Sequence, residues 1–249
     1  MSTEIWTTKK TGAQEAERIE ARYVSTPGRP WWLPLLEASG VGLWLFFWCS
    51  YIYRIAHSVS IGLFSVLLAV FLGLVASDFM SGFLHWLFDT FFELTTPVIG
   101  PHLVGPFREH HQDPLAMTRH HLLESAGNSC LAWLPPMSLV WWFGPSPSAS
   151  TFGGVFFYWF VASFAFFLTA SNQFHSWAHD PNTKGWIRRI QALGLLVSPE
   201  HHAPHHVAPH RVRYCTTTGW VNYVTDRLEV FEYLEKAFVA LGFPLKSLE

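Results

Sequence analysis

The chain has 249 residues, half of them hydrophobic and only 14% charged, with a formal net charge of -2. An average soluble domain carries about 25% charged residues, so this composition excludes both a water-covered globule and a disordered chain. A near-neutral balance leaves no electrostatic footprint for nucleic acid, and three scattered cysteines (Cys49, Cys130, Cys215) offer neither a disulfide framework nor a CxxC metal knuckle.

Residues 1–30 are polar, with Lys9, Lys10, Arg18, Arg22 and Arg29 and no apolar core of a signal peptide. They read as an N-terminal arm, and 31–249 as a single membrane domain. Long uncharged stretches place spanning helices at about 33–54 and 58–80. Between Glu124 and Asp180, 55 residues contain no Asp, Glu, Lys or Arg. The GPSPSAS tract at 144–150 divides that stretch into spans at about 129–143 and 151–171. A buried helical pair in a soluble domain is the competing reading, but it leaves 55 residues without a charge to meet water. Of the 16 basic residues only Arg54 falls in the short turns on one side; the rest lie in the arm, the 91–128 loop and the 180–249 tail. The positive-inside rule makes that side, with both termini, cytoplasmic. The expected fold is all-α, an integral membrane four-helix bundle with a cytoplasmic His-rich di-metal cap.

Thirteen of the 14 histidines lie from His85 onward, at or below the cytoplasmic helix ends, and His57 alone is on the far side as an interfacial residue. His85 and Asp89 stand at i and i+4 where the second span leaves the membrane, with Asp78 two turns back on the same stripe. His175 and His179 repeat the spacing after the fourth span, with Asn172 on their face. One such pair is more often a hydrogen-bonded histidine than a ligand; two at the same depth reverse that weighting. The loop adds His110, His111 and Asp113 in FREHHQDP and His120 and His121 in TRHH. The tail adds His201, His202, His205, His206 and His210 in SPEHHAPHHVAPH, where Ser198 as N-cap and Pro199 behind it start a short helix. A continued α-helix faces His202 and His206 one way and His201 and His205 the other, with a kink at Pro204. An adventitious metal-binding tract is the bland alternative.

At least eight imidazoles and Asp89 are enough for two ions. No Glu is followed three residues later by His, so this is not a carboxylate-bridged di-iron bundle. Iron, copper or zinc suits such a shell, with two irons the best fit for oxygen chemistry on an unactivated C–H bond and zinc a substituted metal. The expected ligands are His85, Asp89, His110, His111, His175, His179, His202, His205 and His206. Asn172, Asp113, His120, His201 and His210 are expected beside them or as alternatives. Arg108, Arg119, Arg188, Arg189, Arg211 and Arg213 gather on the cytoplasmic side, and Arg108, Arg119 and Arg211 are candidates for a phosphate head group. Positive-inside bias alone also places basic residues there. Cys215 and the Thr216–Trp220 run read as packing for the tail.

The segments SGFLHWLFDT, GPFREHHQDPLAMTRH, ESAGNS, NQFHSWAHD and PEHHAPHHVAPHRVRYCTTTGWVN, in this order over 78–223, resemble the Kua/CarF lipid desaturase family. Its members include plasmanylethanolamine desaturases and a plant fatty-acid desaturase branch. The resemblance implies a four-helix membrane enzyme with a His-box di-iron centre. It implies O2 and two electrons as co-substrates, a phospholipid substrate, and an electron donor such as a cytochrome b5 or a ferredoxin. The family's two histidine boxes fall on His175–His179 and His202–His206, while His121 stands where an acid is expected. Vinyl-ether formation on an alkyl-ether phospholipid is the leading expectation, and desaturation of an ester-linked acyl chain the nearest alternative. A zinc-dependent hydrolase and a metal transporter are readings of other classes. Transport is disfavoured because the span centres lack His and acid.

Overall fold

The computed structural model describes residues 30–93, 95–97, 99–145 and 151–246, so the arm expected at 1–30 lies outside the described residues apart from Pro30, as does most of the 144–150 turn. Among the described residues all regular structure is helical. Four long helices form the bundle: α1 (Leu33–Ala56), α2 (Leu63–Thr90), α4 (Leu122–Phe143) and α5 (Phe152–His179). Local chemistry starts two of them. Pro34 sits in the first turn of α1, and the Thr151 side chain accepts a hydrogen bond from the Gly154 N–H at 3.2 Å ahead of α5.

Helices α1, α2 and α5 are long and apolar enough to cross a membrane. Phe46, Phe64, Leu67 and Phe71 point outward from α1 and α2, an exposed apolar surface that belongs in lipid rather than water. Helix α4 is not among the three, since Glu124, Asn128 and the pair Pro135–Pro136 interrupt its apolar run. It also starts earlier than the expected 129–143. His121, in extended conformation, opens the helix at Leu122, and nothing in 122–128 but Gly127 resists helix formation.

Helices α2 and α5 have 28 residues each, which at 1.5 Å per residue is about 42 Å against a hydrocarbon core of about 30 Å. Both therefore project beyond their expected ends at 80 and 171, and the projecting turns carry His85, Asp89, His175 and His179. The two helices run parallel and touch at the backbone. A Cβ on Gly73 would stand 2.0 Å from Ser163 Oγ and 2.7 Å from Phe160 O. Gly127 of α4 meets Glu37 of α1 in the same manner.

At the end away from the histidines, Arg54 joins three helices. It donates to Tyr158 Oη at 3.0 Å and to the Trp141 carbonyl at 3.2 Å, and its guanidinium lies over both rings. At the other end, one π-turn (Gly100–Val104) leads into α3 (Gly105–Gln112). The tail then folds under the bundle as α6 (Gly185–Ala192), α7 (Pro199–His202), a 3-10 turn (Ala203–His206), α8 (Asn222–Arg227) and α9 (Val230–Ala240). Phe231 of α9 packs against Trp86 and Tyr214, with ring centroids 5.7 and 5.0 Å away.

The close crossing at Gly73 sets the register that brings His85 level with His175. Gly73→Leu should lower the melting temperature in detergent by an overpacking cost of roughly 1–3 kcal/mol, whereas Gly42→Leu, with open space around its Cβ, should melt like the parent. Equal melting of the two variants would refute this register.

Candidate metal centre

One stripe of α2 lays out the centre. Asp78, Ser81, Gly82, His85 and Asp89 follow at helical spacing on one face, and all five are buried. The first three bind the tail. Asp78 Oδ1 accepts the N–H groups of Thr217, Thr218 and Gly219 at 3.0, 2.9 and 3.1 Å. Its Oδ2 accepts the Val221 N–H at 3.1 Å and the Thr218 hydroxyl at 2.9 Å. Gly219, at φ +80°, turns the backbone so that successive N–H groups converge on one carboxylate. Ser81 Oγ accepts the Thr216 N–H at 3.1 Å, and Cys215 Sγ fills the space that a Cβ on Gly82 would occupy. Asn222 grips the Cys215 peptide from the other side, accepting from its N–H at 2.8 Å and donating to its carbonyl at 3.0 Å.

Pinning 214–219 in this way aims two imidazoles. His85 Nδ1–H donates to the Tyr214 carbonyl at 3.1 Å, and His205 Nδ1–H donates to the Val212 carbonyl at 2.8 Å. Each bond selects the tautomer whose Nε2 lone pair faces the centre. The short tail helix begins as its sequence directs, with the Ser198 side chain accepting from the His201 N–H at 3.2 Å. It does not continue as an α-helix, however. From Ala203 it tightens to a 3-10 turn, in which residues i and i+3 eclipse, and this brings His205 to the side of His202. His202, His205 and His206 therefore all face the centre, which corrects the expected two-sided split, and His201 is left outside.

The histidine nitrogens fall into two groups. His110, His175, His179, His202 and His206 form one; His85, His110, His111 and His205 form the other, with His110 common to both. Asp89 leans on the second: its Oδ2 is 3.0 Å from His111 Nε2, 3.4 Å from His85 Nε2 and 3.6 Å from His205 Nε2. In the first group the Nε2 atoms of His175 and His202 are 2.7 Å apart, those of His175 and His179 3.0 Å, and those of His202 and His206 3.1 Å. In the second, His85 and His205 Nε2 are 3.1 Å apart. Two nitrogens bound to one ion at about 2.1 Å on neighbouring octahedral corners stand about 3.0 Å apart, so these spacings fit metal ligation. Burial, reinforced by the neighbouring imidazoles, holds His110 and His202 well below the ordinary histidine range, and burial lowers His111 and His206 as well. Neutral rings with convergent lone pairs are ligands in waiting. Among the described residues His110 Nε2 and Asp89 Oδ1 are buried without a hydrogen-bond partner.

The remaining predicted residues take varied places. His210 Nδ1–H donates to the His205 carbonyl at 2.8 Å, with its ring centroid 4.7 Å from that of His111. His120 lies 3.3 Å from Glu124, and Asn172 sits one turn before His175; both line a cavity of about 370 Å³ that opens against His110 and His175. His201 faces Arg213 and Asn222, and Asp113 pairs with Arg119. His121 is exposed and outside both groups. Arg108 donates to the Asp89 and Phe92 carbonyls at 3.2 and 2.6 Å, closing the C-terminal end of α2, and Arg211 pairs with Glu235 at 3.2 Å. The three arginines expected at a head group are thus engaged in separate places. Sequence reasoning missed the cradle of Asp78 and the clamp of Asn222. A carboxylate inside an apolar span was the available signal, because such a charge requires a built set of donors.

Asp78→Ala strips one acceptor from four N–H groups and a hydroxyl in a buried place, each costing about 1–3 kcal/mol if left unpaired. The variant should keep its helix content by circular dichroism and lose most of its bound metal by elemental analysis, with Asp78→Asn between the two. Full metal content in Asp78→Ala would show that the cradle does not organise the centre.

Comparison with known proteins places these elements in a family. Residues 74–242 match the family model described as lipid desaturase domain, a stretch that holds the Asp78 cradle and every histidine of both groups. The chain is 38% identical over 193 residues to a plasmanylethanolamine desaturase of Myxococcus xanthus, covering 74% of this chain and 64% of that protein. It is 36% identical over 172 residues to plasmanylethanolamine desaturase 1 of Mus musculus (68% and 64%), and 35% identical over 204 residues to the chloroplastic fatty acid desaturase 4 of Arabidopsis thaliana (79% and 60%). The chain thus spans a little under two thirds of the length of these relatives. No solved structure matches it. With its membrane-spanning helices, its two histidine groups and a family match over 74–242, the chain belongs to the lipid desaturase domain family.

Proposed function

We propose that the chain is an oxygen-dependent membrane lipid desaturase that converts the O-alkyl chain of plasmanylethanolamine into a vinyl ether. The balanced reaction is R–O–CH2–CH2–R′ + O2 + 2 electrons + 2 H+ → R–O–CH=CH–R′ + 2 H2O, with the lipid oxidised and dioxygen reduced to water. The observation that carries it is the pair of all-imidazole groups sharing His110 beside a cavity among helices that cross a membrane. Similarity to two plasmanylethanolamine desaturases supports the choice of substrate. Similarity to a chloroplastic fatty acid desaturase favours a second reading, desaturation of an ester-linked acyl chain.

In this reading His175, His179, His202 and His206 would hold one iron and His85, His111, His205 and Asp89 the other, with His110 a member of both histidine groups. Two irons bound there supply the dioxygen activation that an unactivated C–H bond requires. The chain's own residues do the rest. Tyr214 and Val212 carbonyls hold His85 and His205 in the ligating tautomer. The electrons come from a carrier such as a cytochrome b5 or a ferredoxin. Residues 31–249 act as one domain, with α4 as a fourth crossing and both termini and the metal centre in the cytoplasm, a reading supported by the one-sided distribution of basic residues.

Two measurements test this. Expressed in cells that make alkyl-ether lipids but no plasmalogen, the chain should yield lipids that release an aldehyde in acid, and His175→Ala or His206→Ala should abolish the aldehyde and empty the site of metal. A new double bond in an ester-linked chain without aldehyde would move the reading to acyl lipids. A reporter active only outside the cytoplasm should respond when fused within 144–150 and stay silent at the C-terminus; the reverse would overturn the orientation.

A further inference from the structure

The tail reaches back along α2 to the depth of the bilayer. Counted from Leu63, a hydrocarbon core of about 30 Å covers α2 as far as about Gly82. The Asp78 cradle therefore holds 217–221 at hydrocarbon depth. From there the Trp220 indole runs deeper, to stand with its ring 6.2 Å from that of Phe71. Phe71 is about 16 Å inside Gly82 along the helix, which puts the Trp220 ring at least about 10 Å within the core. Phe71 is itself half-exposed and belongs, with Leu67 and Leu72, to the outward apolar surface of α2.

Trp220 brings a second segment with it. Its Nε1–H donates to the Gly194 carbonyl at 2.6 Å, in the turn that ends α6. An indole at the membrane surface gives this hydrogen to water or a head group, whereas here the chain supplies the acceptor. The turn is closed in the same way. With Gly194 at φ +70°, its N–H reaches the Gln191 carbonyl at 2.9 Å and the Leu195 N–H the Ile190 carbonyl at 3.2 Å. The Val197 N–H donates to the Thr217 carbonyl at 3.1 Å, tying the turn to the cradle. These donors need nothing from water, which is what hydrocarbon demands of irregular backbone. The side chains face outward: Leu193 is 74% exposed and Leu195 49%, and a Cβ on Gly194 would meet nothing within 4 Å among the described residues. The cations Lys184, Arg188 and Arg189 come earlier in α6. That end lies near Trp177, whose ring is 6.3 Å from that of Trp186, and Arg188 turns back to the Asp180 carbonyl.

We infer that the Leu193–Gly194–Leu195 turn is inserted among the acyl chains of the leaflet on the histidine side, extending the lipid-facing surface of α2 through Phe71 and Trp220. The occupant is bilayer lipid because the exposed leucines continue a surface that already lies in lipid. Helix α6 is then a return from outside the bilayer into it, with its cations at head-group height and its leucines below them. The turn comes just before Ser198, whose side chain caps the helix that carries His202, so lipid holds this part of the tail at depth alongside Asp78. The inference needs only the membrane crossings and is independent of the reaction at the metal centre.

The experiment uses the full chain in phosphatidylcholine nanodiscs with a nitroxide on a single introduced cysteine. Cys49→Ser removes the exposed native thiol, while Cys130 and Cys215 are buried from the label. The test positions are Leu193→Cys and Leu195→Cys, with Leu67→Cys on α2 as the lipid reference and Lys184→Cys as the water reference. Electron paramagnetic resonance then compares relaxation by dioxygen, which concentrates in hydrocarbon, with relaxation by a water-soluble nickel chelate. Labels at 193 and 195 should match the Leu67 label, with the oxygen-to-nickel ratio inverted relative to the Lys184 label. A ratio like that of Lys184 at either position overturns the inference. Low collision with both relaxants also overturns it, because it would mark a protein partner over the turn. Should one variant fail to melt like the parent, the other decides.

Discussion

The structure hangs on one buried carboxylate. Asp78 is fully enclosed within an apolar helix, where a charge is tolerated only with a complete set of donors, and the 217–221 backbone provides them. That pairing ties a tail segment to a helix some 140 residues earlier in the chain. Everything the tail brings to the centre follows from it: the carbonyls that aim His85 and His205, and the short helix that carries His202 and His206. The same helix then presents His85 and Asp89 two and three turns further on. Anchor and ligands lie on one rigid stripe, so an error in docking the tail becomes an error in the metal geometry.

Eight imidazoles packed around a common point are unfavourable by themselves. Burial, reinforced by the neighbouring imidazoles, disfavours charging His110 and His202, and Nε2 atoms of the groups face one another at about hydrogen-bond distance. A cation at each group would turn this disadvantage into binding energy and would couple folding of the cap to metal loading. The bundle above supplies the rigidity. Close helix contact at Gly73 and Gly127 fixes depth, while the Arg54 hydrogen bonds to Tyr158 and Trp141 hold the opposite end.

The arrangement also separates lipid from water. Helices α2 and α5 are longer than the bilayer is thick, so their last turns carry the chemistry clear of the hydrocarbon while their bodies remain in it. A cavity lined by Trp133, Leu168, Phe88 and Phe107 among others opens against His110 and His175, beside the ends of these helices.

The sequence by itself determined the membrane class, the long apolar helices, the i, i+4 pairs at His85–Asp89 and His175–His179, and the Ser198–Pro199 helix start. These are local properties, set by hydropathy and by a period of 3.6 residues that operates within one helix. Asp78 could be placed on the stripe of His85 by the same period, but not its purpose, because its partners lie beyond residue 216. Only the tertiary structure decided the division of the histidines around His110, the 3-10 turn that brings His205 to the side of His202, and the engagement of Arg108, Arg119 and Arg211 with partners of their own. The reason is that these depend on which surfaces meet, for the histidine groups across as many as 120 residues of chain, and that choice is made by packing, by the register of α2 against α5 and by the satisfaction of buried donors, none of which leaves a repeat in the sequence.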